Sequence, residues 1–252
     1  DDRLQRDRGN RSNGTSRTHS GTSEQAVIAV ILAAGISSRL RPLTNETPKS
    51  LLHVGATPLL QRILQSLHRN SIRECVIVTG YYKEKIEDFV QSLSLPMTVS
   101  FAENPSYATT GNNYSLWSAH AHVGKRDMMV MDGDILFDSR LLTLLMHSPH
   151  KNGLIIRRTN HLGAEEIKVE VDGNNFVTRI GKEIDPAGAA GESIGIEKFS
   201  AETTRILFET LHRRKARNEF YEASFQEMID GGVAFHAVDS AGLPCMEIDT
   251  VE

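Results

Sequence analysis

One segment near the start of the hydrophobic part of the chain combines very small residues with isolated cations. It reads AAGISSRLRPLTNETPK over residues 33–49. Residues without bulky side chains let the backbone approach a ligand, and consecutive N–H groups in such a bend can bind an anion. Arginine offers phosphate a planar fork of donors, and lysine offers a mobile point charge. The segment is therefore predicted to bind a polyphosphate, although it is neither a Walker A nor a G-x-G-x-x-G loop. The residues predicted to form this site are Ala33, Ala34, Gly35, Arg39 and Lys49.

Two further segments place carboxylates where a metal ion could be held. MMVMDGDILFD contains Asp132 and Asp134 directly after an apolar run, and EIDT near the end of the chain contains Asp249 with Glu247 two residues earlier. Mg²⁺ takes oxygen ligands, usually one or two carboxylates together with phosphate oxygens and water. The sequence therefore predicts one Mg²⁺ held by an acid of the Asp-Gly-Asp segment and by Asp249.

The composition limits what kind of protein can present these groups. The chain has 252 residues, of which 39% are hydrophobic and 24% charged, as in soluble globular proteins. A net charge of -4 argues against a nucleic-acid partner, and no apolar run approaches the ~18 residues of a membrane span. The two cysteines form no CxxC pair, so a reducing, cytoplasmic location is expected.

The two ends differ from the middle of the chain. Residues 1–25 are rich in Ser, Thr, Gly, Asn and charge, which predicts a disordered linker because little apolar surface could be buried there. The chain begins with Asp1 and stops at EIDTVE, within sequence that resembles a folded region. We therefore expect a folded domain over residues 26–252 that is a module of a longer polypeptide.

Short apolar strands alternate with amphipathic helices through the first half of this domain. Such alternation is typical of a mostly parallel sheet with helices on both faces. In the second half, LIIRR, IKVEVDG, FVTRI and GESIGI are consecutive short strands, which adds a smaller antiparallel part, and helices follow at about 201–216 and 221–230. The earlier predicted strands are Val27–Leu32, Cys75–Thr79, Thr98–Ala102 and Met128–Met131, and the predicted helices are Pro58–Arg69, Lys83–Leu93 and Asn112–Ala121.

The chain resembles the sugar-phosphate and alcohol-phosphate nucleotidyltransferases over about residues 26–252. The resemblance is carried by LAAGISSRLRPLTNETPKSLLHV, VIVTGYYKEKIEDF, NNYSLW, VMDGDILF and MEIDTVE. It implies a Rossmann-like nucleotidyltransferase fold and transfer of a nucleoside monophosphate from an NTP to a phosphate or phosphonate, with release of pyrophosphate. NNYSLW and EIDTV are most similar to the variety acting on phosphocholine and related amino-alcohol phosphates. One departure is Ser37, where the family loop usually has a second glycine.

The resemblance also implies roles for single residues. Arg39 would clamp the triphosphate, Lys49 would hold the acceptor phosphate near the α-phosphorus, and Asp134 would be the metal ligand within the Asp-Gly-Asp segment. Lys182 matches a family lysine that contacts the acceptor phosphate. The segment from 103 to 112 carries amide, hydroxyl and carboxyl groups that could read a nucleobase. The residues assigned to the base on these grounds are Gly80, Glu103, Thr110 and Asn112.

The acceptor is predicted to bind over about residues 151–252. Lys182, Glu192, Tyr221 and Glu247 are the candidate contacts, and those for a cationic head group are Glu192 and Tyr221 together with Glu222 and Phe225. This region lacks the tryptophan expected of a choline cage, which favours 2-aminoethylphosphonate or a similar phosphonate over phosphocholine. CTP is indicated only by the resemblance, as is an enzyme domain fused upstream or downstream. A sugar-1-phosphate nucleotidyltransferase using UTP, GTP or dTTP and a non-catalytic nucleotide-binding regulatory module are the alternatives.

Overall fold

The first β-branched run becomes the central strand of a large mixed sheet. In the computed structural model, which describes residues 26–159, 161–215 and 218–249, strand β1 spans Ile28–Ala33 and all of its residues are buried. The predicted linker, residues 1–25, lies outside the described residues. The other strands are β2 His53–Val54, β3 Thr57–Pro58, β4 Glu74–Thr79, β5 Thr98–Glu103, β6 Met128–Asp132, β7 Ile135–Phe137, β8 Gly153–Arg157, β9 Lys168–Val171, β10 Val177–Gly181, β11 Gly191–Phe199, β12 His236–Asp239 and β13 Cys245–Glu247.

Helices flank both faces of this sheet, as the alternation in the sequence predicts. They are α1 Leu59–Arg69, α2 Lys83–Ser92, α3 Asn112–Ser118, α4 His120–Val123, α5 Arg140–His147, α6 Ala201–Arg214 and α7 Glu222–Asp230. Because side chains alternate along a strand, successive residues of β1 enter different cores. Val30 packs with residues of α3, α6 and α7, whereas Ile31 packs with residues of α1, α2 and α5. Within the described chain, none of the helices has the length and apolarity needed to cross a bilayer.

The sheet is parallel on one side and antiparallel on the other. Its strand order is β10-β9-β11-β6-β1-β4-β5, with β8 added on β11 and β12 on β8. The strands from β6 to β5 are parallel, and β11 runs antiparallel to β6, β8 and β9. The predicted α/β fold with a mostly parallel sheet and a smaller late antiparallel part is confirmed.

Several short elements were not predicted from the sequence, and one predicted helix is too long. The predicted helix Asn112–Ala121 is wrong in its extent, since α3 ends at Ser118 and a separate turn, α4, follows. Helix α5 and the strand pair β7–β13 were not predicted. The pairing of β7 with β13 joins segments more than 100 residues apart along the chain, so no local pattern reveals it.

The strand directions bring four chain segments to one edge of the sheet. The carboxyl ends of parallel strands β1 and β6 lie together, and there the loop after β1 and the Asp132–Asp134 segment begin. β8 runs parallel to β6 because both are antiparallel to β11, so β8 also ends at this edge. The antiparallel strand β11 starts there, opposite the end of β8. A ligand cleft is expected at this edge of a parallel sheet.

Gly195 in β11 allows this edge to close around Asp132. Its φ is +69°, and a methyl group at this position would overlap the Asp132 carboxylate. We expect Gly195→Ala to lower the free energy of unfolding by at least about 2 kcal/mol, because it adds both backbone strain and a steric overlap. Urea unfolding of the purified variant measures this. Gly173→Ala is the control, since a methyl group there meets no atom, and equal stability of both variants would contradict the prediction.

Candidate active site

A cleft of about 500 Å³ opens at the carboxyl edge of the sheet. Its walls come from the loop after β1, the segment after β6, the end of β8 and the start of β11. Eight carboxyl side chains and four cationic side chains are among the described residues that line it. They are Asp132, Asp134, Glu165, Glu166, Glu192, Glu222, Glu247 and Asp249, together with Arg39, Lys49, Arg157 and Lys182.

The loop after β1 is held by a few specific contacts. Ser37 has φ 53° and ψ 49°, a left-handed conformation that glycine adopts at no cost, and it precedes a short 3-10 turn, Ser38–Leu40, that carries Arg39. The Ser37 carbonyl accepts a hydrogen bond from Thr44 Oγ1 at 2.8 Å, and Thr44 is fully buried. A second 3-10 turn, Lys49–Leu51, then directs Lys49 into the cleft.

The Lys49 ammonium lies between carboxylates of two distant segments. Its Nζ donates to Asp134 Oδ2 at 2.7 Å and to Asp249 Oδ1, while Arg39 donates to the other oxygen of Asp249 at 2.9 Å. Asp134 follows β6 directly, and Asp249 follows β13, which pairs with β7. The Ile248 N–H donates to the Asp134 carbonyl at 3.0 Å, so the backbone itself holds the two acids side by side.

These contacts keep the ammonium and the carboxylate of Asp249 in their charged forms. Burial by itself disfavours the Lys49 ammonium, but Asp134 and Asp249 outweigh burial, and the pKa of Lys49 is raised above its usual value. Burial would likewise raise the pKa of Asp249, but the contacts with Lys49 and Arg39 hold that pKa below its usual value. An opposite charge within hydrogen-bond distance favours the charged form of both partners.

Asp134 and Asp249 fit a divalent cation. Their oxygens converge on a single positively charged atom, Lys49 Nζ, so the space between them already suits a cation. Across residues 26–159, 161–215 and 218–249, no three His, Cys, Asp or Glu side chains form a complete metal cage. Two carboxylates are sufficient for Mg²⁺ when phosphate oxygens and water supply the remaining ligands.

The part of the cleft around Asp132 and Glu222, which we call its inner end, is acidic. Glu222 is 6% exposed, and its Oε2 has no hydrogen-bond partner. Burial raises the pKa of Glu222 to about 7. Burial, reinforced by neighbouring acids that include Glu197 and Glu222, raises the pKa of Asp132 well above its usual value. The Tyr221 hydroxyl donates to Asp132 Oδ2 at 3.2 Å. Burying acids without paired cations is costly, so this end of the cleft favours a positively charged ligand group.

The part of the cleft formed by the ends of β8 and β10 also carries two cations. Arg157, at the end of β8, contacts Glu192 through its guanidinium and donates to the Cys245 carbonyl at 3.1 Å. Lys182 pairs with Glu165 at 3.1 Å and lies over the Phe220 ring, 4.6 Å from its centroid. Cations at this position suit an anionic acceptor group.

A family model described as nucleotidyl transferase matches residues 28–165, more than half of the chain. The chain belongs to the nucleotidyl transferase family. The resemblance read from the loop after β1 and from the Asp-Gly-Asp segment is thereby confirmed, as is the prediction that the family is one of enzymes that transfer nucleotidyl groups.

Two curated relatives of this nucleotidyl transferase act on aminophosphonates according to their names. One is the CMP-5'-(3-aminopropyl)phosphonate synthase of Streptomyces rubellomurinus, 27% identical over 243 residues that cover 93% of this chain and 38% of that protein. The other is the 2-aminoethylphosphonate cytidylyltransferase of Lancefieldella rimae, 23% identical and covering 92% of each chain. The chain therefore spans less than two thirds of the Streptomyces relative.

Solved structures show the same fold. The inositol-1-phosphate CTP transferase of T. maritima superimposes with a TM-score of 0.78 at 22% identity, covering 90% of this chain and 91% of that one. The CTP:phosphocholine cytidylyltransferase of Streptococcus pneumoniae gives a TM-score of 0.71 at 22% identity, covering 90% and 95%. At these identities the likeness establishes the fold, and it agrees with the predicted Rossmann-like nucleotidyltransferase fold.

Most of the residues predicted from the sequence of this nucleotidyl transferase lie together in the cleft. Two of them also make hydrogen bonds within the protein. The Asn112 Oδ1 accepts from the Tyr221 N–H at 2.8 Å, and Thr110 Oγ1 donates to the Ser106 carbonyl at 2.9 Å. Those that line the cleft are Ala33, Ala34, Gly35, Arg39, Lys49, Thr110, Asn112, Asp134, Lys182, Glu192, Glu247 and Asp249.

Three predicted residues are not among those that line the cleft. Glu103 pairs with Lys83 at 2.8 Å on the surface. Gly80 packs against the Ala34 carbonyl and Tyr107, where a methyl group would come within 2.8 Å of both. Tyr221 is fully buried behind the cleft and donates hydrogen bonds to two residues that line it, Asp132 and Asn112. Glu192 lines the cleft, but its partner is Arg157, so it is less available to a cationic head group than Glu222.

Sequence reasoning missed Arg157 and Glu197. Arg157 ends an apolar strand, but its position at the ligand edge depends on the direction of β8, which only the sheet reveals. Glu197 is fully buried within β11. An acid in the middle of the apolar run IGIEKF was the available signal, because acids are rarely buried without a functional or structural reason.

The raised pKa of Glu222 makes the stability of the unliganded protein depend on pH. The folded protein binds the Glu222 proton more tightly than the unfolded chain, where the pKa is 4.5, so stability is lost as pH rises from 4.5 through about 7. We expect Glu222→Gln to flatten this decline between pH 5 and pH 8, with a gain of up to about 3 kcal/mol at pH 8. Urea unfolding at four pH values measures the slope.

The control for this experiment is Glu84→Gln, which replaces an exposed carboxylate in the first turn of α2. Its slope should match that of the wild type. A Glu222→Gln slope that also equals the wild-type slope would show that Glu222 is not a buried acid with a raised pKa.

Proposed function

We propose that this chain transfers CMP from CTP to a small phosphonate or phosphate acceptor that carries a cationic amine, and that pyrophosphate is released. The observation that carries the proposal is the meeting of Lys49, Asp134 and Asp249 in one cleft, which Arg39 and the acids Asp132 and Glu222 also line. An enzyme joining two anions needs cations between them, and an acid-rich pocket beyond them suits an acceptor with a positive charge.

The proposed reaction is an in-line displacement at the α-phosphorus of the triphosphate. An oxygen of the acceptor phosphonate forms a bond to this phosphorus, and the bond to the oxygen that bridges the α- and β-phosphates breaks, so pyrophosphate leaves with that electron pair. Arg39 binds the triphosphate and stabilises the charge that develops on pyrophosphate. Lys49 neutralises and positions the acceptor phosphonate.

Small residues at the end of β1 let the nucleotide approach the backbone. Ala33, Ala34 and Gly35 line the cleft, and a methyl group on Gly35 would meet no atom, so the space in front of this glycine is open. We assign the triphosphate to this bend, where N–H groups can bind phosphate oxygens.

Mg²⁺ would be held by Asp134 and Asp249. When bound, the ion would supply positive charge that offsets the repulsion between the two anionic substrates. Lys49 keeps its charge at neutral pH, because its pKa is raised, and its flexible side chain can then contact substrate oxygens.

A cationic amine on the acceptor distinguishes this proposal from a sugar-phosphate enzyme. Eight carboxyl groups line the cleft against four cations, and Glu222 Oε2 has no hydrogen-bond partner, although the positive charge of Lys182 acts on this carboxyl from within the same cleft. A sugar phosphate brings neutral hydroxyl groups, which would leave these acids uncompensated. The aminophosphonates named for the Streptomyces and Lancefieldella relatives have the required amine.

Lys49 provides the first test of this proposal. Lys49→Ala removes the charge proposed to bring the two anions together, and we expect turnover to fall by roughly two to four orders of magnitude. Pyrophosphate release with CTP and 2-aminoethylphosphonate measures it. Lys125→Ala, which removes an exposed lysine outside the cleft, should keep the wild-type rate. A near-normal rate for Lys49→Ala would remove the role assigned to this residue.

Asp134 provides a separate test of the metal. Asp134→Asn weakens one of two carboxylate ligands, so the Mg²⁺ concentration that gives half-maximal rate should rise by at least about ten-fold. A magnesium titration of the rate measures this, with Asp88→Asn on the surface of α2 as the matched control. An unchanged titration curve would exclude Asp134 as a metal ligand.

Acceptor preference tests the proposed amine site. With CTP, 2-aminoethylphosphonate should give a kcat/KM at least about ten-fold above that of 2-hydroxyethylphosphonate, since only the amine can pair with the buried acids. Activity with UTP, GTP or dTTP and a sugar 1-phosphate instead would support the sugar-phosphate alternative. Nucleotide binding without pyrophosphate release for any acceptor would support a regulatory module.

A further inference from the structure

The loop that joins Arg39 to Lys49 has little regular structure to fix its path. Between the two 3-10 turns, residues 41–48 form turns and bends without a strand or an α-helix. Backbone carbonyl groups in such a loop must find partners elsewhere or remain solvated. A loop with few internal contacts is expected to be mobile unless side chains from outside hold it.

Three consecutive carbonyls of this loop accept hydrogen bonds from one neighbouring segment. The single hydroxyl proton of Tyr81 is shared between the Thr44 and Asn45 carbonyls, which lie 3.0 and 3.1 Å from Oη, and Tyr82 Oη donates to the Asn45 carbonyl at 2.9 Å. The Lys85 ammonium donates to the Glu46 carbonyl. These side chains are the partners of three peptide groups in a row.

The segment after β4 is built to present these donors. The Tyr81 N–H donates to the Ala34 carbonyl at 3.1 Å, which fixes this segment against the end of β1. Tyr82 has φ 50° and directly precedes α2. The rings of Tyr81 and Tyr82 contact each other, with centroids 4.4 Å apart. Lys85 lies in the first turn of α2, with its ammonium 4.5 Å from the centroid of the Tyr82 ring.

A buried threonine, Thr44, connects these hydrogen bonds to the turn that carries Arg39. Thr44, whose carbonyl accepts from Tyr81, donates through Oγ1 to the Ser37 carbonyl, and Ser37 starts the turn that carries Arg39. On the other side, the loop continues over three residues from Glu46 to Lys49. Both proposed phosphate-binding cations therefore flank the anchored peptides.

We infer that Tyr81, Tyr82 and Lys85 form a clamp that positions Arg39 and Lys49 for the two anionic substrates. We define the clamp as the hydrogen bonds from these three side chains to the carbonyls of residues 44–46. Its members are positioning residues, because none of them lines the cleft. The inference rests on the roles proposed above for Arg39 and Lys49.

Because the clamp lies at the surface, its loss should change the position of the loop more than the stability of the fold. The clamp side chains are exposed or half-buried, and the two tyrosine hydroxyl groups bond to the irregular loop and to each other. Removing the hydroxyl groups keeps the ring contact and leaves the sheet and its cores unchanged. The expected effect is therefore on where the loop lies, with little effect on global unfolding.

The test is the double variant Tyr81→Phe/Tyr82→Phe, with Tyr114→Phe as the matched control. Tyr114 packs against Trp117 on α3 and is outside the cleft lining. For the double variant we expect the KM for CTP to rise about ten-fold, with kcat changing much less, and amide exchange in residues 43–47 to become faster. The melting temperature should stay close to the wild-type value, and the control should match the wild type in all measurements.

Three outcomes would overturn the clamp. One is an unchanged KM together with unchanged exchange in the loop. Another is a lower melting temperature and lower kcat with an unchanged KM, which would indicate a purely structural role. The last is faster exchange in residues 43–47 without any change in KM, which would show that loop position does not matter to binding. Full activity of Lys49→Ala would instead contradict the proposed function. Amide exchange in residues 43–47 would still test the clamp, because it does not depend on activity.

Discussion

Two carboxylates that would otherwise repel each other are held around one positive centre, and the rest of the site depends on this arrangement. Asp134 and Asp249 approach the same Lys49 nitrogen, and the hydrogen bond from Ile248 to the Asp134 carbonyl keeps their segments adjacent. Like charges at such proximity are stabilised by a cation between them, since the alternative is that one of the acids takes up a proton. The site is thus prepared for a cation whether lysine or a metal ion provides it.

The sheet makes this arrangement possible because strand direction decides which chain ends meet. β1, β6 and β8 all end at one edge, and the antiparallel β11 begins there. Close backbone contacts then tighten this edge. A methyl group on Gly133 would lie 2.6 Å from the Leu32 carbonyl, so only glycine lets the segment between Asp132 and Asp134 pass the end of β1.

The cleft brings cations and buried acids close together. Its cations lie in the loop after β1 and near the ends of β8 and β10, and Lys49 is about as buried as Glu222, with 7% and 6% exposure. Burial there raises the pKa of Glu222 and of Asp132, so part of the acidity is suppressed until a cation arrives. A cleft that combines cations with buried acids suits a substrate with an anionic head and a cationic tail, which agrees with the proposed aminophosphonate.

The sequence by itself determined the fold class, most long strands and helices, and the loop with Arg39 and Lys49, because these depend on local periodicity and on contiguous residue types. It also pointed to Asp249 and an acid of the Asp-Gly-Asp segment as partners, and the choice of Asp134 within that segment came from a resemblance. Tertiary structure decided that Glu103 pairs at the surface, that Glu192 is taken by Arg157, and that Glu197 and Glu222 are buried near Asp132. The pairing of β7 with β13 likewise could not be predicted from the sequence. These features arise from contacts between segments far apart in the chain, and burial and charge pairing are properties of those contacts, which no short stretch of sequence contains.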